Sequence, residues 1–334
     1  MSVSDWGEVF SGPLFQQRLA EDYLLRADEY VTEYHRALKD KGKISAFWQY
    51  PFIAGLDVVK LSRYTIVGSY TRFEETVLNE LKDARQKIVS GIKQPSGKRE
   101  NHLIWAAPGS GKSFFVQQIA EMLSDACTYV ELNLGKVSEE DFRTQWRGIV
   151  AMNSPCLCLI DEVDSQPDAT WPYEVLLPYL DEVTDNQKNV VVVMAGSSGY
   201  SLAGLKERIG ARPKGKDLLS RIPTENECVI APMSFGDRIL VVLSQFARAG
   251  RKTGRDIRAV EKLGLYYIAL SSKLSNARQL YEFTLRAVER GPHNDDRVKY
   301  DQLFMSGDPE NKRFWLEVSP VSKDLVNHYV KIED

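Results

Sequence analysis

Residues 103–123 read LIWAAPGSGKSFFVQQIAEML, an apolar strand-like run that passes through a glycine-rich turn into a segment of helical character. A phosphate-binding loop requires that context of strand, flexible turn and helix start. Gly109 and Gly111 let the backbone turn so that successive N–H groups aim at phosphate oxygens, and the helix beginning near Lys112 adds its dipole. The stretch Pro108, Gly109, Ser110, Gly111, Lys112, Ser113 and Phe114 is thus expected to bind a nucleotide, ATP, with Lys112 reaching the β- and γ-phosphates. The Ser113 hydroxyl would be a ligand of Mg²⁺. Ala106 stands where the loop usually begins with glycine, a small-for-small exchange that should be harmless.

A second segment, PCLCLIDEVD at residues 155–164, ends an apolar run in Asp161 and Glu162. Open α/β sheets bind their ligands at the carboxyl ends of the strands, and a carboxylate pair there makes a Walker B element. Asp161 would hold Mg²⁺ through water, and Glu162 would take a proton from an attacking water while orienting it toward the γ-phosphate. A solvated strand end is the bland alternative. A phosphate-binding loop some fifty residues upstream argues against it.

Five short apolar runs, His102–Ala107, Thr128–Leu132, Pro155–Asp161, Asn189–Ala195 and Glu227–Ala231, alternate with helical patterns. That alternation predicts an α/β fold with a five-stranded parallel sheet covered by helices on both faces. Ahead of it, Phe73, Val77, Leu78, Leu81, Ala84 and Ile88 form one apolar stripe of an amphipathic helix. From Met233 to Gly291 the pattern reads as helical throughout, with Ile239, Val242, Leu243 and Phe246 and then Leu263, Tyr266, Tyr267 and Leu270 at helical spacing. The expected organisation is a helical N-terminal segment (1–63), a nucleotide-binding domain (64–232), a helical lid (233–291) and a C-terminal extension (292–334). The N-terminal helix rests on Leu14, Leu19, Leu24, Leu25, Tyr30, Tyr34 and Leu38; the extension offers two candidate strands, Phe314–Val318 and Val326–Ile332.

The 334 residues carry 43 basic and 46 acidic side chains, so no global charge attracts a polyanion. Nucleic acid gains no support from composition. The basic run at 246–258, FARAGRKTGRDIR, could contact phosphates, although a solvated helix face explains such runs more often. Cys127, Cys156, Cys158 and Cys228 lie in apolar, strand-like surroundings without ligand spacing, which predicts reduced core residues and no zinc site. Neither a signal peptide nor a membrane-length apolar run is present, so a soluble cytoplasmic protein without a membrane role is expected.

From about Tyr64 to Gly291 the order of these motifs resembles the AAA+ ATPase family. IVGSYTRFEETVLNEL (66–81) looks like the segment that covers the adenine and the helix after it, and NVVVVMAGSSG (189–199) is similar to the strand that carries the first sensor, here Ser198 or its neighbour Ser197. GKDLLSRIP (215–223) matches the place of the family's arginine finger, which the resemblance assigns to Arg221 and to the active site of a neighbouring subunit. Arg208 and Arg212 lie close enough in sequence to compete. LSNARQLYEF (274–283) resembles the lid's second sensor and points to Arg278. Asn133, at the end of YVELNLG (129–135), matches a polar switch residue that can restrain the catalytic glutamate.

The resemblance implies ATP hydrolysis within a homo-oligomer, a closed ring and most often a hexamer, that remodels or loads a macromolecular partner, in the first instance a protein. A nucleotide-driven switch or scaffold that recruits an effector is the alternative. Protein threading lacks support, because LGKVSEEDFRTQW (134–146) has no aromatic-hydrophobic-glycine pore loop. The lid arginine and the Asp-Glu pair argue against a small-molecule kinase.

Overall fold

The computed structural model describes residues 52–54, 64–93, 100–152, 154–180, 190–257, 259–261, 274, 276–298 and 302. The chain divides into two compact units, one of residues 65–234 and one of 1–64 with 235–334. The expected N-terminal helix, the apolar positions from Leu263 to Leu270, the side chain of Ile239 and both candidate C-terminal strands lie outside the described residues.

Unit 65–234 opens with a hairpin of β1 (Thr65–Val67) and β2 (Tyr70–Thr71), followed by helix α1 (Glu75–Lys93). Strand β3 (Asn101–Ala106) leads into α2 (Lys112–Met122), β4 (Thr128–Asn133) into α3 (Glu139–Val150), and β5 (Cys156–Asp161) into α4 (Trp171–Leu180). Strand β6 (Val190–Gly196), helices α5 (Leu202–Gly210) and α6 (Gly215–Leu219), and β7 (Glu227–Ile230) complete it. The five strands β3 to β7 form one parallel sheet in the order β4-β5-β6-β3-β7.

Alternation along the strands explains the layers. Leu103, Trp105, Cys156, Cys158, Ile160, Val192 and Met194 face one way and pack with Phe142, Trp146, Tyr173 and Leu176 of α3 and α4. Ile104, Ala106, Leu157, Leu159, Val191, Val193 and Ala195 face the other way and pack with Leu81, Ile88, Phe115 and Ile119 of α1 and α2. A strand buried on both sides has no polar face, which is why these segments read as unbroken apolar runs. Cys156 and Cys158 share the first face; burial pushes the Cys156 thiol up to about 12 and holds Cys158 well above the ordinary thiol range, so both are protonated core residues. Among the described residues no cluster of His, Cys, Asp and Glu is placed to hold a metal ion.

In register, Asn133 lies opposite Asp161, Asp161 opposite Ala195, and Ile104 opposite Ala195. The carboxyl ends of β4, β5, β6 and β3 therefore line up in one row. The phosphate loop, the Asp161–Glu162 pair, Asn133 and the two candidate sensor serines lie at or just beyond that row.

In the other unit, α7 (Phe235–Thr253) packs against α8 (Ala277–Arg290). The expectation of helix throughout 233–291 fails at residues Ala259–Glu261, which form a strand. That strand pairs antiparallel with Phe52–Ala54 and parallel with Arg297–Val298. Its partners lie far away in sequence, so no local periodicity could announce it. The basic run is also divided in its roles. Arg255 is buried and donates to the carbonyls of Val288 and Asp295, Arg248 stacks 4.9 Å over the Tyr281 ring, and Arg251 and Lys252 are exposed. Arg258 lies outside the described residues. Among those residues no helix is long and apolar enough to cross a membrane.

His102, at the amino end of β3, is 2% exposed, and its Nε2 has no partner among the described residues. Burial, with a lesser contribution from Lys87, lowers its pKa to about 4. The unfolded chain binds this proton near pH 6.5, so stability is complete above that pH and is lost as pH falls toward the folded value. Thermal or denaturant unfolding at pH 7 and pH 5 should show about 2 kcal/mol lost to this residue, and His102→Gln should remove that part of the pH slope.

Candidate nucleotide site

The loop between β3 and α2 takes the shape its glycines allow. Gly109 has φ 77° and Gly111, the residue that caps α2, has φ 88°, both in the left-handed region that a side chain would disfavour by roughly 1–2 kcal/mol. Ser110 N–H closes the turn on Ala107 O at 3.1 Å, and Phe115 N–H begins the helix on Gly111 O at 2.9 Å. The hairpin before α1 is fastened to the same helix. Tyr70 packs its ring 5.2 Å from Phe115 and 6.0 Å from Phe114, and Ser69 N–H donates to Gln118 Oε1 at 2.7 Å.

Asp161 is the centre of the charged cluster. Lys112 Nζ lies 2.8 Å from its Oδ1, the Ser113 hydroxyl donates to its Oδ2 at 2.9 Å, and Glu162 N–H donates to Oδ1 at 2.9 Å. With Asp161 only 7% exposed, the ion pair and hydrogen bonds offset the cost of burying a carboxylate. A hydroxyl and a carboxylate converging in this way are the hard oxygen donors that suit Mg²⁺.

Glu162 follows with φ 55°, an uncommon conformation for a residue with a side chain, and its neighbour Val163 N–H is anchored to Ala195 O of β6 at 3.0 Å. Its carboxylate rests directly on the turn after β4. A Cβ added to Gly135 would come within 2.1 Å of Glu162 Oε2 and 3.1 Å of Asn133 Oδ1. Asn133 uses that oxygen to accept from Gly135 N–H at 2.9 Å, so the proposed switch residue stands beside Glu162 without hydrogen-bonding it.

Ser198 lies just past the carboxyl end of β6, with its N–H held by Asp164 Oδ2 at 2.8 Å and its C=O by Trp105 Nε1 at 3.0 Å. Its buried hydroxyl has no partner among the described residues, and Ser197 beside it is half-buried. Sequence reasoning missed Gly135, Asp164 and Trp105. A third acidic residue in DEVD was a signal for Asp164; nothing local singled out the other two.

The arginines separate clearly. Arg212 is no free competitor for the finger role, because its guanidinium is spent within its own chain. It donates to Ser165 O at 2.9 Å, Gln166 O at 2.8 Å, Ala169 O at 3.1 Å and the Tyr173 hydroxyl at 3.0 Å, and lies 4.4 Å over the Tyr173 ring. It clamps the loop that follows Glu162. Arg221 donates to Asp217 O at 2.6 Å, while its own C=O accepts from Asn101 Nδ2 at 2.8 Å. Asn101 begins β3 and the phosphate loop follows its other end, about 17 Å away at 3.3 Å per residue. Arg221 therefore stands at the opposite end of the sheet from its own loop. Arg208, in the last turn of α5, is exposed and has no hydrogen bond or ion pair among the described residues. Arg278 is exposed in the first turn of α8, whose cap is Asn276 accepting from Gln279 N–H at 3.0 Å.

Residues 102–208 match the family described as ATPase family associated with various cellular activities (AAA). The chain carries an AAA+ ATPase domain. The matched stretch runs from β3 to Arg208, and so takes in the phosphate loop, Asp161, Glu162 and both candidate sensor serines. No curated protein matches the chain.

In this AAA+ domain, a methyl group at Gly135 must displace the Glu162 carboxylate by an ångström or more. Gly135→Ala should lower nucleotide turnover about 10- to 100-fold while leaving equilibrium nucleotide affinity nearly unchanged. Steady-state turnover and direct binding, measured on the same preparation, check it.

Proposed function

We propose that this AAA+ domain hydrolyses ATP with Mg²⁺ at the contact between copies of the chain, and that the cycle remodels or loads a macromolecular partner, a protein in the first instance. The observation that carries the reading is the Lys112–Asp161–Ser113 cluster with Glu162 beside it at the carboxyl edge of a parallel sheet. Bound Mg²⁺, held by the Ser113 hydroxyl and through water by Asp161, would neutralise charge on the β- and γ-phosphates. Lys112 exchanges its contact with Asp161 for phosphate oxygens. Glu162 accepts a proton as water attacks the γ-phosphorus in line, and the bond to the β–γ bridging oxygen breaks to leave ADP and phosphate. The Ser198 hydroxyl, with Ser197 as the alternative, bonds the γ-phosphate or the attacking water, and Arg278 is the candidate second sensor.

The remaining charge is supplied in trans. Arg221 stands too far from its own phosphate loop to serve it, which supports delivery to a neighbour's site in a ring-shaped homo-oligomer. Arg208 is the second candidate.

Lys112→Ala should lose ATP affinity at least tenfold in equilibrium binding; unchanged affinity would remove the nucleotide assignment. Glu162→Gln should bind ATP and leave it uncleaved. Arg221→Ala should bind ATP as wild type and hydrolyse it slowly at every protein concentration, and mixing it with Glu162→Gln should restore part of the activity, because some mixed interfaces pair an intact base with an intact arginine. A mixture that co-assembles and stays inactive transfers the role to Arg208.

A further inference from the structure

Tyr200 is 95% exposed, the most exposed large hydrophobic side chain among the described residues. Its backbone has φ 57°, and the residue before it, Gly199, has φ 80°. Two consecutive left-handed residues are costly, and a bulky side chain at the second of them calls for a reason. The loop is held from both sides. Ser198 is pinned by Asp164 and Trp105, and Ser201 caps α5 by accepting from Gly204 N–H at 3.0 Å. Gly199 and Gly204 meet so closely that a Cβ on either would fall within 2.3 Å of the other's backbone. The backbone strain is therefore locked in, and the ring projects into solvent.

The place of this display is the second observation. Tyr200 follows Ser198 by two residues, and β6, which it leaves, lies between β5 with Asp161 and β3 with the phosphate loop. Its loop leaves the sheet at the carboxyl edge that forms the mouth of the nucleotide site. Resting on the trans reading above, a neighbour that delivers an arginine must dock at that mouth. The segment it would bring offers exposed cations: within residues 206–221, Lys206 is paired with Glu227 and Arg212 is spent on its own loop, while Arg208, Lys214 and Lys216 reach solvent alongside Glu207 and Asp217. The face of a tyrosine ring attracts such cations, and tyrosines recur as anchors of protein contacts.

We propose that Tyr200 is the anchor by which a second copy of this chain, presenting the exposed cations of its α5–α6 segment, docks on the nucleotide site. The ring would cover part of that segment, and the locked loop means that no ordering of its backbone is needed on arrival.

The test uses the full chain in the Glu162→Gln background with ATP and Mg²⁺, followed by sedimentation over a range of protein concentrations. Tyr200→Gly should raise the concentration needed for assembly at least tenfold, with nucleotide affinity of the dilute monomer unchanged, and should raise the monomer's Tm by about 2–4 °C because the left-handed strain is relieved. Tyr200→Phe, which keeps the ring, should assemble within about threefold of the parent. Assembly of Tyr200→Gly at the parent's concentration would overturn the anchor while leaving the trans reading in place. Loss of nucleotide affinity in the monomer would overturn it by making Tyr200 part of its own chain's pocket. If the Glu162→Gln parent binds ATP and never assembles, both the anchor and the trans reading fall.

Discussion

The arrangement of the α/β unit depends on one carboxylate. Asp161 ends a strand that is buried on both faces, yet it receives the Lys112 ammonium, the Ser113 hydroxyl and the Glu162 amide. A buried charge left unpaired there would cost several kcal/mol, so the end of β5 and the loop after β3 must meet. β6 lies between those two strands and contributes Ala195 O as the anchor for Val163. The phosphate loop, the two acidic residues and the end of β6 therefore form one unit mechanically as well as chemically. The same Lys112 and Ser113 are the groups a nucleotide would recruit, so the resting ion pair keeps them at hand.

Around that centre the chain stores local strain. Glu162, Gln166 and Tyr200 all have positive φ and none is glycine, and all three lie in segments that leave the carboxyl edge of the sheet. Such conformations persist only where the surroundings over-determine them. For the loop after Glu162 the surroundings are Arg212, which donates to three of its carbonyls, and Gln166 Nε2, which donates to Leu134 O and Val137 O. For the loop after β6 they are Asp164 and Trp105. Asp164 joins the two loops directly, so a shift at Glu162 and a shift at Ser198 are tied to each other through one side chain.

Much of this was legible in the chain itself. The Gly-Ser-Gly-Lys-Ser turn between an apolar run and a helical pattern points to a phosphate loop, because its glycines permit the left-handed turn and its lysine stands at a helix start. Five apolar runs alternating with helical patterns dictate a parallel sheet, because strands without a polar face must be covered twice. Asp161 and Glu162 followed from their position at a strand's carboxyl end. In the other unit local periodicity failed, since the strand Ala259–Glu261 owes its state to partners at 52–54 and 297–298 rather than to its own three residues.

What only the tertiary structure decided are the relations between residues distant in sequence. Arg208, Arg212 and Arg221 are chemically alike and lie within fourteen residues of one another, yet one is exposed, one clamps a loop and one hangs at the far end of β3. Gly135 reads as an ordinary turn glycine until the Glu162 carboxylate is found lying against it. Sequence determines which groups are present and their local backbone preferences, since propensity and periodicity act over a few residues. Whether a guanidinium meets carbonyls, solvent or a neighbour's phosphate depends on hydrogen bonds and packing closed over tens of residues, and only the folded chain brings those partners together.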